Sequence, residues 1–196
     1  MVRAILEGRK TQTRRIIKGA RQHFCDFNGL GNPVFTDDGV TYQEIKCPFE
    51  AGMRLWVKET ACIAPVNFAD PDDTCRRDAD GKLRYVSYKA DGHSEEAMRD
   101  YKLKWTPSLF MPRWASRITL EITEVRVERL QEIGEADAKA EGAGSKLVPD
   151  YIPPDKCGNY RFYYERIWES IHGPGSWDLN PWVFVVSFRL LEGGPQ

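Results

Sequence analysis

The chain lacks most of the features that would declare a function at once. Its five cysteines are odd in number and widely spaced, and none forms a C-x-x-C pair. That argues against a disulfide framework and against a structural zinc site, and a reducing intracellular compartment is the expectation. Only three histidines are present. His23 and Cys25 are a pair of nearby metal-type side chains, too few to define a site. No apolar run approaches the roughly 20 residues that cross a bilayer, and no secretory signal is read at the N-terminus. There is no excess of either charge, the formal net charge being -1. A sheath around a nucleic-acid duplex is therefore not expected, whereas local contact with a nucleoside, a nucleotide or a short single strand stays open. Nothing calls for a cofactor.

What is present is a core and one concentrated charge. The hydrophobic fraction of 41% and aromatic fraction of 12% are those of a packed chain. At 196 residues one domain is expected, spanning 1–196 with an inserted elaboration at about 61–109. From Met1 to Arg21 there are seven Lys/Arg against a single acid, Glu7. The key stretch is Ile5-Leu6-Glu7-Gly8-Arg9-Lys10-Thr11-Gln12-Thr13-Arg14-Arg15. Val2, Ile5 and Leu6 can share a helical face, and Gly8 suits a left-handed C-terminal cap. The pattern is already helical at Met1, and a strand before it is an expectation. An extended run from Lys10 to Ile17 would put Thr11, Thr13 and Arg15 on one side and Gln12 and Arg14 on the other. Lys10 and Thr13 would then need a turn or bulge to cooperate. The plain alternative is a solvated basic turn.

Further along, Asp37-Asp38-Gly39 marks a hairpin turn with a return strand over Thr41–Ile45. Met53, Leu55 and Val57 alternate with Arg54, Trp56 and Lys58 as in a half-buried strand, so Trp56 falls on the polar face. There it can pack at a rim or stack on a base. The acidic loop Asp70–Asp80 lacks the ligand spacing of an EF-hand. A strand is expected at Leu83–Lys89 and a short helix from Ser94 toward Tyr101. Ile118, Leu120 and Ile122 define a long strand whose apolar phase shifts to Val125 and Val127, as a bulge near Thr123–Glu124 would cause. Arg113 and Arg117 bring positive charge to its start, to meet a carboxylate or a phosphate. A short helix from Glu135 stops at Gly142. Glu141, its last residue, is a carboxylate at the wrong end of the helix dipole, either simply exposed or kept for a purpose. A loop over Gly144–Gly158 precedes a long helix, Asn159–Ile171, with a stripe of Tyr160, Tyr164, Ile167 and Ile171. The apolar Pro181–Leu190 reads as a buried terminal strand, with Gly193–Gln196 fraying after it.

These pieces predict an α+β fold, a small partly open barrel with flanking helices. In them the chain resembles the ASCH family, whose fold is related to the PUA RNA-binding barrel. The resemblance rests first on Ile5–Arg15. It continues through Gly52–Val57, the strand Arg117–Val127, the helix Glu135–Gly142 and the terminal strand. The whole is similar to phage and prophage ASCH proteins. It implies a PUA-like barrel and, through the family's bacterial N4-acetylcytidine amidohydrolase branch, a site of lysine, threonine and glutamate. The lysine of that branch's G-R-K-T-x-T motif falls on Lys10, the second threonine on Thr13, the glutamate on Glu141 and a following arginine on Arg15. Arg14 stands where the small enzymes have an apolar residue, which changes the pocket.

In chemical terms, a threonine hydroxyl becomes a nucleophile when a base removes its proton. A lysine serves once burial and nearby cations such as Arg9, Arg14 and Arg15 lower its pKa. Thr13 would attack the acyl carbonyl and Lys10 would pass the proton to the leaving amine. Glu141 would orient Lys10 or activate water. In the opposing scheme Lys10 stays charged, paired with Glu141, as a substrate clamp. The expected reaction is deacylation of an N-acylated nucleoside or modified base. The competing expectation is a non-catalytic RNA- or nucleotide-binding module using Arg14, Arg15, Arg113 and Trp56, with Arg117 close by. A structural phage protein is a third. The expected partner is a nucleoside- or nucleotide-like small molecule, or single-stranded RNA, and no membrane.

Overall fold

A computed structural model describes residues 2–66, 75–92, 99, 103–144 and 157–191. The chain forms two compact units, one of Arg3–Met53 with Glu121–Arg189, the other of Arg54–Leu120 with the residues from Leu190 onward. The architecture is α+β, with open antiparallel sheets and short helices beside them.

In the first unit, β1 (Gln12–Ile16) pairs antiparallel with β10 (Trp182–Leu190) in a register that sets Gln12 opposite Ser187 and Ile16 opposite Val183. β9 (Thr119–Arg129) lies on the other side of β10. Leu130 N donates to Pro181 O, and Arg189 reaches Glu121 at the opposite end, so these two strands also run antiparallel. Val183 through Val186 are all buried, as expected of a strand covered on both faces. The long helix Tyr160–His172 begins at Asn159, whose side chain accepts from Phe162 N and so caps it. It packs Tyr163, Tyr164 and Trp168 against Leu130, Ile133, Trp177, Val183 and Val185. The buried stripe is thus rotated from the expected one, and Ile171 is 59% exposed. Tyr163, Tyr164 and Trp168 are buried in the core, and Tyr160, Phe162 and Ile167 pack against it only partly buried. Likewise Ala4 and Ile5 are the buried residues of the N-terminal helix Val2–Leu6, while Leu6 is 41% exposed.

A three-stranded sheet of β2 (His23–Phe27), β3 (Pro33–Thr36) and β4 (Tyr42–Glu44) completes this unit. The hairpin between β3 and β4 turns where Asp37-Asp38-Gly39 predicts it. β2 escaped the sequence reading because its pairing with β3 slips between Phe24 and Asp26, which breaks the alternation. His23 and Cys25 are both exposed on it. In β9 the change of phase falls at Thr123–Glu124, where two successive residues are exposed within one continuous strand.

In the second unit β5 (Arg54–Trp56) is followed by Val57, whose N–H donates to Ile118 O. β6 (Ala61–Pro65), β8 (Leu83–Tyr88) and β7 (Cys75–Arg77) form an antiparallel sheet in the order β6-β8-β7. Its core gathers Ala61, Val86, Tyr88, Met111 and Ala115. The helix expected from Ser94, and parts of the loops expected over Asp70–Asp80 and Gly144–Gly158, lie outside the described residues, as do the last residues Gly193–Gln196. Among the described residues no helix is long and apolar enough to cross a membrane.

Candidate functional site

The site is built where the N-terminal helix stops. Gly8 takes the left-handed conformation at φ +68° and its N–H donates back to Ile5 O. Lys10 N then donates to Ala4 O and Thr11 N to Ala140 O, which sews the start of β1 to the end of the helix Glu135–Ala140. Glu141 caps that helix, and Lys10 and Glu141 form an isolated antiparallel bridge. Gly142 follows at φ +79°, and a Cβ on it would lie 3.2 Å from Lys10 Cβ and 3.3 Å from Ala4 Cβ. The glycine therefore serves both the helix stop and the close approach of the two segments.

Within this joint Lys10 is 5% exposed and Glu141 6%. Lys10 Nζ donates to Glu141 Oε2 at 2.6 Å, to Gln12 O at 2.8 Å and to Glu141 O at 2.9 Å. Three donors meet three acceptors, the full capacity of an ammonium. The other oxygen of the same carboxylate belongs to Arg14, whose Nη1 lies 3.3 Å from Glu141 Oε1 and 2.7 Å from Gln12 Oε1. Arg14 Nη2 reaches Asp137 Oδ2 at 3.1 Å and Glu128 Oε2 at 3.3 Å. Arg126 in turn holds Glu128, Glu124 and Asp137 from the half-exposed side. The guanidinium of Arg14 is wholly buried, and its carbon lies 5.9 Å from the centroid of the Tyr164 ring. Burying this cation would be prohibitive without those carboxylates.

The electrostatics follow from that packing. Burial pushes the Lys10 ammonium below the ordinary lysine range; the charge and hydrogen bond of Glu141 oppose the shift, while Arg15 and Arg14 add to it. Burial, and then the Glu141 carboxylate, push the Tyr164 phenol well above its usual value.

Of the sequence-derived residues, Lys10 and Glu141 therefore meet directly. Thr13 is half-buried opposite Val186. It alternates with Gln12 and Arg14 and faces away from them. Among the described residues its hydroxyl makes no hydrogen bond with Lys10 or Glu141, although the bond from Nζ to Gln12 O leaves the ammonium one peptide group from Thr13. Arg15 is exposed beside it. Arg9 pairs with Glu7 at the surface. Arg14 is no surface cation but the hub of the buried network. Trp56, Arg113 and Arg117 belong to the second unit. There Arg117 bonds Glu59 and Asp91 with both arms and lies 3.9 Å over the Tyr88 ring, so of the two roles open to it, it takes the carboxylate. Gln12, Glu128, Asp137 and Tyr164 went unrecognised in the sequence. Only Asp137 left a signal, one helical turn before Glu141 on the same face.

Among the described residues no group of three or more His, Cys, Asp or Glu side chains is placed to hold a metal ion. Compared with family models, with curated proteins and with solved structures, the chain finds no match.

Proposed function

We propose that the chain is a small amidohydrolase of ASCH type on a PUA-like barrel, deacylating an N-acylated nucleoside or modified base such as N4-acetylcytidine. One observation carries the reading. Lys10 and Glu141, chosen from a resemblance and 131 positions apart, share a buried 2.6 Å ion pair at the end of a basic N-terminal segment. Thr13 Oγ1 attacks the acyl carbonyl, and its proton passes by way of Lys10 to the leaving amine, Glu141 orienting Lys10. Water then cleaves the acyl-threonine ester to release the acid and restore the hydroxyl. At rest all three Nζ bonds go to Gln12 O and Glu141, so Nζ must leave Gln12 O to serve Thr13. The resting state holds Lys10 as an ammonium, so it must first release a proton. Burial favours that release, while the bond to Glu141 opposes it. Arg14 on Oε1 and Lys10 on Oε2 occupy both oxygens of Glu141, which suits an orienting role better than that of a general base.

The test is incubation of the purified chain with N4-acetylcytidine and other acylated nucleosides, with deacylation followed by chromatography. Turnover is expected, and Lys10→Ala and Thr13→Ala should each abolish it. Turnover that survives Lys10→Ala unchanged overturns the assignment of Lys10. No turnover of any substrate in the panel overturns the deacylase reading.

A further inference from the structure

A different surface, in the second unit, carries an inference of its own. Arg54, Trp56 and Lys58 occupy alternate positions along β5 and its continuation, and alternation brings such positions to one side of an extended chain. Arg54 and Lys58 are exposed and Trp56 half-buried. Lys58 Nζ lies 5.2 Å from the centroid of the indole, and the Arg113 guanidinium, from the turn Arg113–Ala115, lies 5.6 Å from it. Lys58 also donates to Leu109 O at 2.9 Å. That bond brings up the turn Ser108–Phe110, where Leu109 is 71% exposed and Phe110 70%. Among the described residues Arg54, Lys58 and Arg113 have no carboxylate partner, whereas Arg117, four residues after Arg113, is committed to two.

Two cations over one indole, both without a carboxylate partner among the described residues, with Arg54 exposed two positions before the indole and Phe110 exposed in the turn that Lys58 reaches, fit few partners. A neutral apolar partner would bury the charges without compensation. An acidic peptide would answer the charges but leave the indole and Phe110 idle. A duplex needs a far longer positive track than this near-neutral chain offers. A single strand answers both features, phosphates meeting the cations and a base lying on the ring. The incoming base takes the place of one cation over the indole, and that cation, on its long stem, turns to the neighbouring phosphate.

We propose that the Arg54–Trp56–Lys58 face of β5, with Arg113 and Phe110 beside it, is a stacking platform for single-stranded nucleic acid. It stands apart from the deacylase reading and does not depend on it. The test uses the full chain and a fluorescein-labelled short oligouridylate or oligothymidylate, read by anisotropy over a range of salt. Salt-dependent binding is expected. Trp56→Ala should weaken it about 5- to 100-fold, while Trp56→Phe should stay within a few-fold of wild type. Arg113→Ala, an exposed substitution that spares folding, should lower the slope of log affinity against log salt by about 0.7. Lys10→Ala should leave binding untouched. Absence of binding overturns the platform. So does equal affinity of wild type and Trp56→Ala, an unchanged salt slope in Arg113→Ala, or equal affinity for polyglutamate.

Discussion

At the scale of single residues the molecule turns on Glu141, the carboxylate shared by two buried cations. Glu141→Gln keeps the shape and removes the charge. Lys10 then loses its only carboxylate partner among the described residues, while Arg14 keeps Asp137 and Glu128. The substitution should lower the free energy of unfolding by about 3–5 kcal/mol, measured by urea denaturation. A loss below about 1 kcal/mol would mean that the network tolerates an unpaired ammonium. The lowered pKa of Lys10 sets a pH dependence with a definite sign. Between its folded value and the ordinary lysine range the unfolded chain binds more protons, so stability should rise with pH across that window. Lys10→Met should erase that rise, and the difference between the two denaturation profiles isolates it from other titrating groups. Turnover, if it uses the neutral amine, should climb in the same direction. The sequence reading named Lys10, Glu141 and Arg14, the last both as a cation beside Lys10 and as a ligand contact, but not the burial of Arg14. Charge on a strand residue announces nothing about burial until the carboxylates of other elements arrive, and Glu128 and Asp137 come from 114 and 123 positions away.

At the scale of elements, two turns hold what the strands and helices present. Gly142 is fixed twice, by its positive φ and by the Cβ atoms of Lys10 and Ala4. Gly142→Ala should cost more than about 1 kcal/mol and loosen the Lys10 joint, seen as a lower thermal midpoint. The hairpin between β3 and β4 depends on Asp38, whose carboxylate accepts from Val40 N, Thr41 N, Thr41 Oγ1 and Thr36 Oγ1. Those bonds, the Thr41 amide's foremost, depress its pKa. Its support is therefore complete above the ordinary aspartate range and lost as pH falls through its own lower value. Amide exchange at Val40 and Thr41 should accelerate in acid, and in Asp38→Ala it should be fast at every pH. Both turns were legible beforehand, because a helix-stopping glycine and an Asp-Asp-Gly sequence act locally. β2 and β7 were not, since short strands take their existence from neighbours that local pattern does not name.

At the scale of the whole molecule, a formal net charge of -1 conceals two uses of positive charge. In the first unit Lys10 and Arg14 are buried among carboxylates; in the second, Arg54, Lys58 and Arg113 are exposed and have no carboxylate partner among the described residues. The proposed activities should separate accordingly. Lys10→Ala should stop deacylation and leave oligonucleotide binding intact, and Trp56→Ala should do the reverse for a free nucleoside substrate. Loss of both in either variant, with the fold verified by circular dichroism, would mean that the two are one site. By itself the sequence determined the α+β class, the helix stop at Gly8, the strand at β10 and the concentration of charge at the N-terminus. Periodicity, turn chemistry and composition are local and survive without contacts. Only the tertiary structure decided which charges are inside. Burial depends on what the rest of the chain brings within a few ångströms, and it made Arg14 a buried hub while leaving Arg113, of the same chemistry, at the surface.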